Sequence, residues 1–312
     1  MIVAGSIPVT RSIFFAFDPG NSDRPAAAEG EKNEMRQRSI PDIVTVLGQV
    51  MRLCRDDGER FTDTGRLDEI QRLLWDSRFR RVNPQGLFHL YAARPLDELP
   101  RSVVLVTSHA DCATGISRCF CEEAGKGLLR GTFDNAATNA AILSLMLEGT
   151  LPENVLVAFT GDEEAESRGI AETVRFLRSR KIGIDLAVVL DVTDMGWEEQ
   201  AGFTVENDFW DDSCGERVIE RIGKLSEEWR FVPEDPENVP PYVPPERVIP
   251  CESEPDESWA LAEMEVPCFS LCLPIRGFMH SDRGALARRS SFPAYRAALA
   301  ALLGGQDPDG RA

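Results

Sequence analysis

The chain has 312 residues, 43% of them hydrophobic, enough for one large α/β domain or two small ones. Its 52 acidic and 34 basic residues give a net charge of −18, a sign that repels phosphate backbones, so no nucleic-acid partner is expected. No apolar run reaches the roughly 18 residues needed to cross a membrane. The opening Met1-Ile2-Val3-Ala4-Gly5-Ser6-Ile7-Pro8 lacks the features of a secretory leader, so no membrane partner and a cytoplasmic setting are expected.

Residues 1–38 read as a partly irregular extension, with Ile13-Phe14-Phe15-Ala16-Phe17 as an edge strand and Gly20 to Gln37 as a loop. Residues 39–312 read as a single domain. Ile40, Ile43, Val44, Leu47, Val50, Met51 and Cys54 recur at helical spacing, and so do Leu67, Ile70, Leu73 and Leu74. Leu87–Ala92 and Val103–Ser108 are expected to be neighbouring strands. Next come a helix over Ala136–Glu148, a buried strand over Val155–Thr160, a helix over Gly169–Lys181 and a strand over Leu186–Asp191. Such alternation predicts a largely parallel sheet covered on both faces. Beyond Val192 a helix is expected over Cys214–Ser226 and a short strand over Trp229–Val232. The proline-rich stretch 233–250 cannot form a regular ladder or helix and reads as a lid or surface loop. Ser258–Met264 resumes the domain, followed by a strand over Cys268–Leu273 and a helix over Phe292–Leu303.

Only three histidines occur, and two stand beside acidic residues at the mouth of an apolar run. His109 closes Val103-Val104-Leu105-Val106-Thr107-Ser108 and precedes Ala110-Asp111; His280 lies in Phe278-Met279-His280-Ser281-Asp282. Between them fall Phe133-Asp134-Asn135, Thr160-Gly161-Asp162-Glu163-Glu164 and Val189-Leu190-Asp191-Val192-Thr193. In open α/β sheets ligands bind outside the carboxyl ends of the strands, so these groups converge on one rim. Imidazole and carboxylate suit zinc, which takes about four ligands per ion, and a shared carboxylate can hold two ions roughly 3.5–4 Å apart. The pattern is that of a hydrolytic site for two divalent cations, with zinc preferred and cobalt or manganese as alternatives.

The succession His109-Ala110-Asp111, Asp134-Asn135 at a helix start, Glu163-Glu164, Leu190-Asp191-Val192-Thr193 and His280-Ser281 resembles the co-catalytic di-zinc exopeptidases. Within them it is most similar to the zinc aminopeptidases, including the branch labelled glutamyl aminopeptidase or cellulase-like. The resemblance covers Leu87 to Leu303 and implies a mixed, mainly parallel central sheet with helices on both faces. It implies that His109 and Asp191 hold one metal, that Glu164 and His280 hold the other, and that Asp134 bridges them with a cis bond to Asn135. It further implies that Asp111 accepts the imidazole N–H of His109, and that Glu163 is the general base passing a proton from water to the leaving amine. The implied reaction is hydrolysis of an amide bond at a peptide N-terminus, by a protein whose assembly into a homo-oligomer is left open.

The chain also departs from that family. Ala137-Thr138 replaces the usual Ser-Gly, and Glu166 stands at the first glycine position after the paired glutamates, while Gly169 keeps the second. The segment between Asp111 and Asp134 is too short for the inserted domain of the cellulase-like branch. The segment between Asp191 and His280 does not accommodate the dimerisation domain of the carboxypeptidase and deacylase branch. An N-acyl amino acid deacylase, a carboxypeptidase-like hydrolase, a single-metal acyltransferase and a non-catalytic binding protein on the same scaffold are the competing readings.

Other residues are expected to play plainer parts. His89 lacks an acidic neighbour and reads as packing, and Asp162 as a solvated corner. Asp256 reads either as a helix cap or as an acid near the site. Arg276 and Gly277 read as a surface turn or a wall of the substrate pocket; Trp197, Phe209 and Trp210 read as core or pocket lining. The eight cysteines form no CxxC pair. Cys268 and Cys272 read as small apolar residues of a buried strand. Cys112, Cys119 and Cys121 read as free loop thiols, or as redox- or metal-responsive thiols beside the site. No G-x-S-x-G elbow is present, and Gly125-Lys126-Gly127 lacks the third glycine of a dinucleotide loop.

Overall fold

A computed structural model describes residues 42–56, 61–63, 65–83, 85–207, 229–233 and 256–304, all within the compact unit Ile40–Ala312. The expected Ile13–Phe17 strand, the loop over 20–37, the Cys214–Ser226 helix and nearly all of the proline-rich stretch lie outside the described residues. In chain order the elements are helix α1 (Ile43–Val50), strands β1 (Arg55–Asp56) and β2 (Phe61–Asp63), helix α2 (Gly65–Leu74), and strands β3 (Arg80–Arg81), β4 (Phe88–Ala92), β5 (Ser102–His109), β6 (Cys121–Gly125) and β7 (Leu128–Gly131). Helix α3 (Ala136–Glu148), strand β8 (Val155–Thr160), helix α4 (Arg168–Ser179) and strands β9 (Gly183–Thr193), β10 (Phe203–Asn207) and β11 (Trp229–Pro233) follow. Helix α5 (Glu257–Glu263), strands β12 (Cys268–Phe278) and β13 (Gly284–Arg288), and helix α6 (Ser291–Leu303) complete the described order.

The main sheet runs β3-β4-β8-β5-β9-β12-β13-β7-β6, with β10 pairing to both β12 and β11. Its centre, β8-β5-β9-β12, is parallel. The strands flanking that centre along the run are antiparallel, so the sheet is mixed with a parallel heart. One expectation needs correcting. β4 and β5 are not neighbours, because β8 inserts between them, antiparallel to β4 and parallel to β5. A short apolar segment returning through α3 buries both its faces only inside the sheet, and β8 is buried along its whole length.

Strand alternation assigns side chains to the two helical layers. On β8, Val155, Val157 and Phe159 face the cluster formed with α1, α2, α3 and α6, while Leu156 and Ala158 face the cluster formed with α4 and α5. On β9, Val188 and Leu190 take the first face, and Ala187 and Val189 the second. Each of the Val, Leu and Phe side chains, fully buried, contributes about 1.5–3 kcal/mol. Helix α3 is buried from Ala136 to Met146, which its run of small residues permits at close range to the sheet.

The register fixes the rim. His109 ends β5 directly opposite Thr160, the last residue of β8, so Asp162, Glu163 and Glu164 emerge beside it. Asp191 pairs with Cys272 two residues before β9 ends.

Candidate metal centre

The N-terminus of α3 is pinned to that rim by side-chain bonds. Asn135 Nδ2 donates to the Leu190 carbonyl at 2.7 Å, and Asn139 Nδ2 donates to the His109 carbonyl at 2.9 Å and to Ser108 Oγ at 2.6 Å. Thr138, where the resembled family carries glycine, meets Ser108 Oγ at 2.8 Å and donates to the Asn135 carbonyl at 3.1 Å. Asp134, one residue before Asn135, is thereby fixed between β5 and β9. The Asp134–Asn135 peptide bond is cis.

Around Asp134 the groups close in. His109 Nε2 lies 2.9 Å from Asp134 Oδ1 and 3.7 Å from both Asp191 Oδ1 and Glu163 Oε2. His280 Nε2 lies 3.0 Å from Asp134 Oδ2 and 3.8 Å from Glu164 Oε2. Two sets, His109 with Asp134 and Asp191, and Asp134 with Glu164 and His280, each have ligand atoms close enough to hold one cation; His109 with Glu163 and Glu164 forms a third such set. Asp111 Oδ1 is 3.2 Å from His109 Nδ1, and its other oxygen accepts from the Glu164 amide at 3.4 Å. All seven residues singled out in the sequence therefore meet at one place.

The donor chemistry fits a cation. If His109 donates Nδ1–H to Asp111, its Nε2 lone pair faces the Asp134 carboxylate, and two lone pairs at 2.9 Å need a positive charge between or beside them. Asp134 Oδ1 and Glu164 Oε1 are buried without a hydrogen-bond partner, and groups of that kind are rare unless something else satisfies them. Burial pushes Glu163 up to about 10, His109 opposing and Asp191 and Asp134 reinforcing. Burial and then Asp134 raise Glu164 to about 7, and burial raises Asp191. Burial works against the charge of Asp134 too, yet the imidazoles of His109 and His280 beside its two oxygens hold it well below the usual range. The bond to Asp134 lifts His280 to about 9. Carboxylates outnumber imidazoles here, and a divalent cation would supply the charge they lack.

The cluster opens into a cavity of about 470 Å³. Its lining includes groups that sequence reasoning passed over or left undecided. Glu206, on β10, is buried with its carboxylate accepting from Thr204 at 2.7 Å, and burial raises it to about 7. Asp256 is both things the sequence allowed: it caps α5 by accepting from the Ser258 amide at 2.7 Å, and it lines the cavity. Behind them Glu257 is buried and accepts from Thr107 Oγ1 at 2.6 Å. No local signal marks Glu206: in Phe203-Thr204-Val205-Glu206 it shares a face with Thr204, opposite Phe203 and Val205, where an exposed acid would read the same. Trp259 also lines the cavity, whereas Trp197 is buried beneath the Arg288 guanidinium, 3.9 Å from its ring. Arg276 belongs to β12, pairs with Glu198 and lines a separate cavity. His89 is buried in β4, and burial lowers it to about 3.

Asp162 is no solvated corner. It is buried, adopts a left-handed φ of 63°, and binds Arg168 Nε at 2.6 Å and Nη2 at 2.7 Å. Gly169 meets the sheet so closely that a Cβ would lie 2.4 Å from the Gly161 carbonyl and 2.5 Å from that of Leu87, which explains glycine there.

No known family profile matches the sequence, and neither does any curated protein. Solved structures do match. A TET aminopeptidase from a marine sediment archaeon of the Thaumarchaeota superposes with a TM-score of 0.63 at 11% identity, over 86% of this chain and 98% of that one. The TET1 peptidase of Pyrococcus horikoshii, which assembles into a tetrahedron or a large octahedral shell, gives 0.59 at 12% identity over 85% and 100% of the two chains. An endoglucanase of Thermotoga maritima gives 0.52 at 12% identity over 82% and 96%. The chain has the fold of these aminopeptidases. Within the aminopeptidase fold, the carboxylate and imidazole cluster sits outside the carboxyl ends of the central parallel strands, where such sheets bind ligands.

Proposed function

We propose that the chain is a metal-dependent hydrolase of amide bonds, an aminopeptidase that removes the N-terminal residue of peptides or small amides. The observation that carries this reading is the shared carboxylate: Asp134 offers one oxygen to His109 and the other to His280, at 2.9 and 3.0 Å. His109, Asp191 and Asp134 would hold one cation, and Asp134, Glu164 and His280 a second, with zinc favoured by the donor types. Two such cations, when bound, would polarise the scissile carbonyl and lower the pKa of water.

The chain's own residues supply the rest. Asp111 fixes the His109 tautomer, so that Nε2 points its lone pair into the cluster. Glu163 stands beside the cluster, 3.7 Å from His109 Nε2, and with cations bound next to it its carboxylate would be ionised, placed to take a proton from the attacking water and give it to the leaving amine. Glu206 and Asp256 add two further carboxyls to the cavity lining, which would suit a substrate ammonium.

A panel of aminoacyl anilides, N-acyl amino acids, peptides blocked at the N-terminus and soluble cellulose tests this reading. The expected outcome is cleavage of the anilides alone, abolished by a chelator and restored by zinc. Cleavage of N-acyl substrates would instead favour the deacylase reading, and cleavage of cellulose an endoglucanase. Retention of Glu163 beside the full ligand set supports an enzyme over a non-catalytic binding protein. We also propose a homo-oligomer, by analogy with the Pyrococcus shells, to be tested by solution mass. No described helix is long and apolar enough to cross a membrane.

A further inference from the structure

Arg66 on α2 is wholly buried, yet among the described residues its guanidinium contacts no carboxylate. Nε donates to the Arg52 carbonyl at 3.2 Å and Nη1 to the Ala110 carbonyl at 3.1 Å. Nη2 faces two sulfurs, Cys112 Sγ at 3.4 Å and Cys119 Sγ at 3.9 Å. A buried charge requires a counter-charge, and here the nearest groups able to supply one are thiols. The two thiols also bond to each other, Cys112 donating to Cys119. That bond, then the Arg66 charge against the cost of burial, brings Cys119 down to about 6, whereas Cys112 is raised. Cys119 is half-buried and Cys112 buried, so Cys119 is the more accessible residue of the two.

We propose that Cys112 and Cys119 form a redox-active dithiol oxidised by peroxide, with Cys119 attacking and Cys112 resolving. The Cys119 thiolate attacks one peroxide oxygen, the O–O bond breaks, and the departing hydroxide takes a proton to leave as water. The resulting sulfenic acid is attacked by Cys112, whose proton goes to the departing hydroxyl; the S–S bond forms, the S–O bond breaks and a second water leaves. Two thiols lose two electrons in all, and the peroxide is reduced to two waters. Arg66 favours the attacking thiolate by its charge. The pair lies outside the proposed ligand set but spans the loop whose Gly115 lies against the His280 backbone, where a Cβ would come within 2.4 Å of its carbonyl. Cys121 is the internal control: it opens β6 two residues further on, and burial and Glu123 raise its thiol.

The test treats the purified full chain with hydrogen peroxide, blocks remaining thiols, digests with trypsin and maps disulfides by mass spectrometry. Trypsin cuts after Arg118, between the two thiols, so the predicted bridge joins the peptide 102–118 to the peptide 119–126. The expected bridge runs from Cys112 to Cys119, persists in Cys121→Ser and disappears in Cys119→Ser. Before oxidation, Cys119 should react with iodoacetamide several-fold faster than Cys121 at neutral pH, an advantage that Arg66→Met should erase. If Arg66→Met does not fold, the two serine variants decide alone. A bridge through Cys121, or no bridge with Cys119 alkylated at the Cys121 rate, overturns the proposal.

Discussion

Asp162 grips Arg168 through two parallel bonds, and the loop between them carries both glutamates of the candidate metal centre. The Asp162 carbonyl also accepts from the Glu166 amide at 3.0 Å and the Ser167 amide at 2.6 Å, so a single residue organises the turn. Displacing a reacting group by 1 Å can cost about 100-fold in rate. Asp162→Ala is therefore expected to lower kcat/KM roughly 10- to 100-fold without unfolding the protein. Arg168→Ala should fall similarly, and the double variant should fall by less than the product of the two, because both delete one interaction. Steady-state kinetics with circular dichroism as a fold control checks this; undiminished activity in Asp162→Ala would remove the positioning role.

Glu163 is assigned proton transfer and not metal retention. Glu163→Gln is expected to keep its metal content while hydrolysis drops about 10²- to 10⁴-fold, the range for a general base. Wild-type turnover in this variant would place the base elsewhere.

The fold was legible wherever an apolar run was long and cleanly bounded. Ala136–Glu148 and Val155–Thr160 match the observed helix and strand to the residue, because the helix is buried from Ala136 to Met146, the strand along its whole length, and each ends at a turn or a change of polarity. The strands that escaped notice, β1, β2, β3, β6, β7, β10 and β13, are short and carry few apolar residues in succession, so packing and not local pattern makes them strands. The order of β4 and β5 was hidden because sequence neighbours pair often but not always. For the site, residues at strand ends were visible because an acid or imidazole interrupts an apolar run. Glu206 and Glu257 were not, since nothing local distinguishes a buried acid from an exposed one. The reading of Asp162 as a solvated corner failed because its partner, Arg168, is reached only after the loop has turned.

Gly169 gives a stability test independent of chemistry. A methyl group there collides with two backbone carbonyls, which cannot rotate away as a side chain could. Gly169→Ala is expected to lose about 1–3 kcal/mol. The urea midpoint should fall accordingly, and an unchanged midpoint would mean that α4 meets the sheet less closely than described.

The cap of α1 gives a pH test. Asp42 accepts from the Val44 amide at 3.0 Å, the Thr45 amide at 3.2 Å and Thr45 Oγ1 at 2.7 Å, and the Thr45 hydroxyl is the chief cause that holds it below its ordinary 3.8. A depressed folded pKa means that the stabilisation is complete above the unfolded value and is lost as pH falls through the folded one. Asp42→Ala should cost about 1 kcal/mol near neutrality, with the difference from wild type shrinking below pH 3.8. Parallel denaturation series at both pH values check it; a gap that widens in acid would contradict the cap.

The central claim is that one carboxylate joins two cation sites, and elemental analysis of the purified chain tests it most directly. Two divalent ions per chain are expected in the wild type, and the loss of both in a folded Asp134→Ala variant. A wild type that binds no divalent ion after equilibration with zinc, or a variant that keeps two, would contradict it.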